Sequence, residues 1–190
     1  MTPSVEPLLT LEPIIEAVRE GVEGAGWLLS GLQKTTSYEF AGRWEGETSR
    51  SAYLFFHRPG DPDGVSIDVF LDETSRGMKG NLALVLDGAS PARVGDPRGA
   101  LTEAAAAART QLPGGYPAPL SLRVRLDDSD QQVDDGVVEL RVKLRILQMA
   151  LLSGPSAVTA LAATAVHGFE RLLEDPALHC YTREPVARHL

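Results

Sequence analysis

Only one cysteine, Cys180, occurs in the 190-residue chain. No internal disulfide can therefore form, and a reducing compartment such as the cytoplasm is the expected location. Long apolar runs are also missing: nothing approaches the roughly 18–20 residues that a membrane-spanning helix requires. Met1 to Pro7 lack the positive start and apolar centre of a secretory leader. Positive charge is scarce, with 18 Lys+Arg against 26 Asp+Glu and a formal net charge of −8. That balance argues against the chain as a whole wrapping nucleic acid or lying on an anionic membrane. The usual catalytic signatures are absent as well. There is no G-x-x-x-x-G-K-[ST] loop, and Gly21, Gly24 and Gly26 fall at a helix end rather than in a strand-linked G-x-G-x-x-G. No G-x-S-x-G elbow occurs, and His57 sits in a strand with no serine or cysteine placed near it.

What the chain does have is the composition of a globular domain, 43% hydrophobic and 23% charged. A single domain over residues 10–175 is expected, with tails at 1–9 and 176–190. A chain of this length can bury about 70% of its unfolded surface, so it needs neither a disulfide nor a metal to hold it together. Leu11, Ile14, Ile15, Val18 and Val22 form one helical stripe, with Thr10 as N-cap and Gly24 and Gly26 as stop signals. Trp27 to Leu32 fit either a helix extension or a packed loop. Strands are expected over Tyr38–Trp44, Ser51–Arg58, Val65–Leu71 and Gly80–Asp87, joined by turns short enough to favour antiparallel pairing. Asp96-Pro97 opens a helix that runs to Leu112. A hairpin follows, with Leu120, Leu122, Val124 and Leu126 inward on one strand and Val138, Leu140, Val142, Leu144 and Ile146 inward on the other. Gly154-Pro155-Ser156 then open a last helix, whose stripe is Val158, Leu161, Ala162, Ala165, Phe169, Leu172 and Leu173. The order α-ββββ-α-ββ-α defines an α+β fold: an antiparallel sheet, meander plus hairpin, with three helices packed on one side.

Two features carry binding chemistry. Arg123, Arg125, Arg141, Lys143 and Arg145 all occupy odd positions of the hairpin, opposite the inward even ones, so all five share a face with Glu139. This is either a solvated outer face whose charges discourage edge aggregation, or a contact patch for an acidic partner or for phosphates. Without interleaved aromatics it is a poor platform for stacking single-stranded bases. On the strand Ser51 to His57, Leu54 and Phe56 can point into the core, which puts Tyr53, Phe55 and His57 on the opposite face beside Ala41. Such a pair of rings is covered by the chain's own loops or helix, or it forms a protein-binding surface. Metal chemistry finds weaker support. Asp127, Asp128, Asp130, Asp134 and Asp135 lack the ligand order of a calcium loop, and His179, Cys180 and His189 could share zinc only if the tail folded back. No metal, cofactor or catalytic residue is expected.

The helix Leu11-Glu12-Pro13-Ile14-Ile15 ending at Gly24-Ala25-Gly26, the strand Leu140-Arg141-Val142-Lys143-Leu144-Arg145-Ile146-Leu147, the Gly154-Pro155-Ser156 turn and the ending Phe169-Glu170-Arg171-Leu172-Leu173 resemble the YbjN-like family. Through that family the chain resembles the type III secretion chaperone fold, over about residues 10 to 175. The resemblance implies a small acidic cytoplasmic protein, commonly a homodimer, that binds another protein and performs no chemistry. The expected function is thus a chaperone-like or adaptor module without enzymatic activity. Its charge of −8 would steer it to a basic partner, such as a basic nucleic-acid-binding protein. The competing expectations are direct nucleic-acid binding through the basic hairpin face, and an uncharacterised enzyme.

Overall fold

A computed structural model describes residues 11–37, 49–61, 64–74, 77–89, 97–112, 120–125 and 137–179. Helix α1 (Leu11–Glu23) buries Leu11, Ile14, Ile15, Val18 and Val22, the stripe that its sequence spacing predicts. The Gly24 amide donates to Glu20 O at 2.9 Å, and Gly26 turns the chain away at φ 91°, a conformation that costs a residue with a side chain.

That turn decides the next element. Residues from Leu28 onward form neither a helix extension nor a loop but strand β1 (Leu28–Ser37). It pairs antiparallel with β2 (Ser49–His57), from Leu28↔His57 to Ser37↔Ser49. The strand expected over Tyr38–Trp44 lies outside the described residues. The meander continues through β3 (Val65–Thr74) and β4 (Gly77–Ala89). Helix α2 (Pro97–Gln111) follows, then the hairpin strands β5 (Leu120–Arg125) and β6 (Val137–Arg145). The six strands form one sheet in the order β1-β2-β3-β4-β6-β5, and every neighbouring pair is antiparallel.

The expected α+β class and the succession of four strands, a helix, two strands and a helix are present. One helix is added. Between β6 and the last long helix stands α3 (Gln148–Ser153), where the sequence suggested only a connection. Leu151 anchors it in the core, and Gly154 at φ 95° separates it from α4 (Pro155–Leu173), which begins on the expected Pro155. The chain stays packed beyond Asp175. The Asp175 carboxylate accepts from the Ala177 amide at 3.0 Å and caps the short 3-10 turn Pro176–Leu178. Leu178 is fully buried, so the domain reaches at least that residue rather than stopping at 175.

The core lies between one face of the sheet and helices α1 and α4. Inward residues of adjacent strands stand opposite one another, as in Leu54↔Val69, Val69↔Leu82 and Leu82↔Leu144. All four belong to the same buried cluster as Ile14, Val18, Ala162 and Phe169 of the helices. Helices α1 and α4 cross closely at Gly21, where a Cβ would fall 2.4 Å from the Thr159 carbonyl oxygen and 2.8 Å from Ala162 Cβ. No described helix is long and apolar enough to cross a membrane.

Candidate functional site: the outer face of the sheet

Period-2 alternation that sends Val65, Ile67, Val69 and Leu71 inward sends Ser66, Asp68, Phe70 and Asp72 to the opposite face. The pairing registers extend this into rows that cross four strands. One row runs Phe55↔Asp68↔Ala83↔Lys143, and the next Tyr53↔Phe70↔Asn81↔Arg145. A third runs Ser51↔Asp72↔Lys79. The aromatic patch on β2 and the basic patch on β6 are thus two ends of one surface, with β3 and β4 between them.

The aromatic end consists of Tyr53 and Phe55, each 38% exposed, and Leu28, opposite His57 in the register, is 47% exposed. The two rings stand on the outward face as the alternation predicts. Gly31 lies opposite Phe55 in β1, and a Cβ there would come within 3.3 Å of the Phe55 ring, so the glycine leaves that ring room. The Tyr53 and Phe70 rings sit 4.8 Å apart, tilted by 41°, within the range of favourable aromatic pairs. Ala41, expected beside this patch, lies outside the described residues.

The centre of the face is charged and internally matched. Asp68 accepts from Ser66 Oγ at 2.9 Å and from Arg141 Nη2 at 3.0 Å. Burial nonetheless pushes the Asp68 carboxyl above the usual carboxylate range, against the opposing pull of Ser66 and Arg141. Arg141 Nε also lies 3.4 Å from Glu139 Oε1. Asp72 accepts from Ser51 Oγ at 2.8 Å and pairs with Lys79 Nζ at 3.1 Å.

The basic end therefore divides. Arg141 is engaged by two carboxylates and is a member of the sheet's own network. Lys143 and Arg145 are exposed and make no ion pair with any described residue. Register pairs Arg123 with Glu139 and Arg125 with Val137. Next to Lys143 and Arg145 opens a groove of about 890 Å³, walled by Phe70, Lys79, Asn81 and Leu147. Phe70, Lys79 and Asn81 are the surface residues that sequence reasoning missed. Their outward facing was legible in the alternation of β3 and β4, but the adjacency of β4 to β6 was not.

A second polar cluster ties β2, the start of β1 and α4 together. Arg58 pairs with Asp61 at 2.9 Å and with Glu170 at 3.3 Å. Glu170 also accepts from the buried Trp27 Nε1 at 3.3 Å and meets His167 Nδ1 at 3.1 Å. The Arg58 guanidinium lies 5.4 Å from the centre of the Trp27 ring. Its hydrogen bonds to Asp61, ahead of its other partners, hold Arg58 more firmly protonated than usual. These groups satisfy one another, which is how a tether between elements is built. Among the described residues no group of three or more His, Cys, Asp or Glu could hold a metal ion. The Asp127–Asp135 loop, Cys180 and His189 fall outside those residues, and His179 is described without such companions.

Compared with protein-family models, curated proteins and solved structures, the chain gives no significant match. The functional reading accordingly rests on the geometry of the face itself.

Proposed function

We propose that the chain is a non-enzymatic protein-binding module, chaperone-like or adaptor-like, that engages its partner with the outer face of its sheet. One observation carries the proposal: Tyr53 and Phe55 stand side by side, 38% exposed, on the face opposite α1 and α4. A ring of this size presents on the order of 200 Å², so the exposed share of each amounts to roughly 75 Å². Covering it is worth about 2 kcal/mol per ring at ~25 cal/mol per Å². The element order and the resemblance to the YbjN-like family support the same reading, and the homodimer it implies belongs to the proposal.

The charge pattern favours a protein over a nucleic acid. Asp68, Asp72 and Glu139 interleave with the cations and would repel a continuous line of phosphates. The net charge of −8 belongs to the whole chain; at the contact face Lys143 and Arg145, exposed and without an ion pair among the described residues, set the local preference. Affinity capture from a cell extract after nuclease treatment, wild type against Tyr53→Ala with Phe55→Ala, tests the proposal. A protein held by the wild type and lost by a still-folded double variant is the expected result. Light scattering on the same two proteins reads the homodimer directly. An unchanged set of captured proteins together with an unchanged mass would overturn the assignment of this face.

A further inference from the structure

The groove beside β6 narrows the kind of partner that the face of Tyr53 and Phe55 engages. Resting on that proposed binding face, we infer that the groove takes the carboxylates of an extended acidic segment of a partner protein, with Asp or Glu at alternate positions meeting Lys143 and Arg145.

Spacing supports this first. Lys143 and Arg145 are two residues apart on one strand and face the same way, which sets their Cα atoms about 6.5–7 Å apart. An extended peptide presents its own alternate side chains with that period, so two carboxylates on it fall in step with the two cations. Availability supports it next. Both cations are exposed and have no carboxylate partner among the described residues, whereas Arg141 is taken by Asp68 and Lys79 by Asp72.

Donor geometry then separates carboxylates from a single phosphate. Tight phosphate sites converge several N–H donors on one point, within about 3 Å, from a helix N-terminus or a turn of backbone amides. Here Lys143 and Arg145 project from regular strand and lie one strand period apart, so they suit separate charges along a chain. Finally, the groove has an apolar wall. Phe70 and Leu147 line it, and Phe70 continues to Tyr53 at 4.8 Å. The segment that fits best runs along β6 with alternating acidic residues on Lys143 and Arg145 and a neighbouring apolar residue against Phe70 or Leu147.

Selection of random short peptides from a display library tests this, using full-length wild type, Lys143→Glu with Arg145→Glu, and Tyr53→Ala with Phe55→Ala as targets. Peptides enriched on the wild type should carry Asp or Glu at every second position next to an apolar residue. Charge reversal should weaken them about tenfold or more and shift enrichment to Lys and Arg. Because both cations are exposed, the reversed protein keeps its melting temperature; the milder Lys143→Gln with Arg145→Gln serves as a second check. Enrichment without acidic preference, enrichment of the same acidic peptides by the reversed variant, no enrichment at all, or displacement by millimolar inorganic phosphate would each overturn the inference. Apolar peptides that need Tyr53 and Phe55 but carry no acid would sink it while leaving the binding face intact.

Discussion

Tyr53 and Phe70 touch ring to ring across β2 and β3, their centres 4.8 Å apart, and this contact joins an aromatic patch to a basic groove on one sheet face. Because Phe70 also lines the groove and shares the cross-strand row Tyr53↔Phe70↔Asn81↔Arg145, a partner segment running along β6 in step with Lys143 and Arg145 has apolar surface on its β3 side. The surface is asymmetric along the direction that crosses the strands.

Neighbouring residues of β2 should then respond to truncation in opposite ways. Leu54 is fully buried while Tyr53 and Phe55 are 38% exposed. Leu54→Ala is expected to cost about 3–5 kcal/mol of folding stability through lost burial and the cavity it leaves. Tyr53→Ala and Phe55→Ala should each cost about 1 kcal/mol, close to the average for a substitution. Denaturant unfolding of the three variants measures this directly. Equal losses at all three positions would mean that the rings belong to a second covered layer.

The cations of β6 should divide in the same fashion. Arg141→Ala removes the cation between Asp68 and Glu139, and Glu139 is only 7% exposed. Taking its cation from Asp68 should cost about 2–4 kcal/mol, toward the lower end of what breaking a buried pair costs. Lys143→Ala and Arg145→Ala, free of ion pairs with described residues, should stay within ~0.5 kcal/mol of wild type. Thermal melts of the three single variants distinguish this pattern from a basic face in which all three cations act alike.

Gly21 provides a separate check on the helix layer. Replacing a mid-helix glycine by alanine ordinarily stabilises a helix by about 1 kcal/mol. Here the new methyl group would meet the Thr159 carbonyl oxygen at 2.4 Å and Ala162 Cβ at 2.8 Å. Gly21→Ala is therefore expected to destabilise by about 1–3 kcal/mol, the typical cost of overpacking. A rise in melting temperature would show that α1 and α4 do not cross this closely.

Much of this architecture was legible because its signals are periodic. The α1 and α4 stripes and the inward sets of β2, β3, β4 and β6 follow 3.6- and 2-residue repeats. Strand β1 was not legible, and its bulge explains why. Leu28 pairs with His57 on the outer face, while Leu32, four residues on, pairs with the inward Leu54. The register shift between Leu29 and Gly31 moves the chain from one phase of alternation to the other, so no single period-2 pattern spans the strand. Helix α3 is six residues long, too short for a helical stripe to show. At the site, period 2 gave the facing of Tyr53, Phe55, Lys143 and Arg145 correctly. It could not give strand order, and only that order brings the groove residues of β3, β4 and β6 together. Nor could facing alone separate Arg141 from Lys143, since the difference lies in Asp68 one strand beyond β4.

The pH dependence of folding should expose Asp68. Its carboxyl is held above the ordinary value of 3.8, first by burial. A carboxyl whose folded-state pKa is raised contributes stability that is complete below its unfolded pKa and is lost as pH rises through the folded one. Wild type should therefore give up this contribution as pH rises from below the ordinary carboxyl range toward neutrality, whereas Asp68→Asn, which cannot ionise, has none to lose. Ser66 and Arg141 meet different oxygens of Asp68, Oδ1 and Oδ2; an asparagine amide can accept from Arg141 through its oxygen and donate to Ser66 Oγ through its NH2, so both contacts keep a partner while the charge is removed. Denaturant midpoints for the two proteins across that range should shift steadily in favour of the variant as pH rises. A drift in the opposite direction would mean that Arg141 stabilises the carboxylate by more than burial penalises it. The centre of the outer face would then be an ion pair that strengthens the fold at neutral pH, and Arg141 would owe its place there to stability.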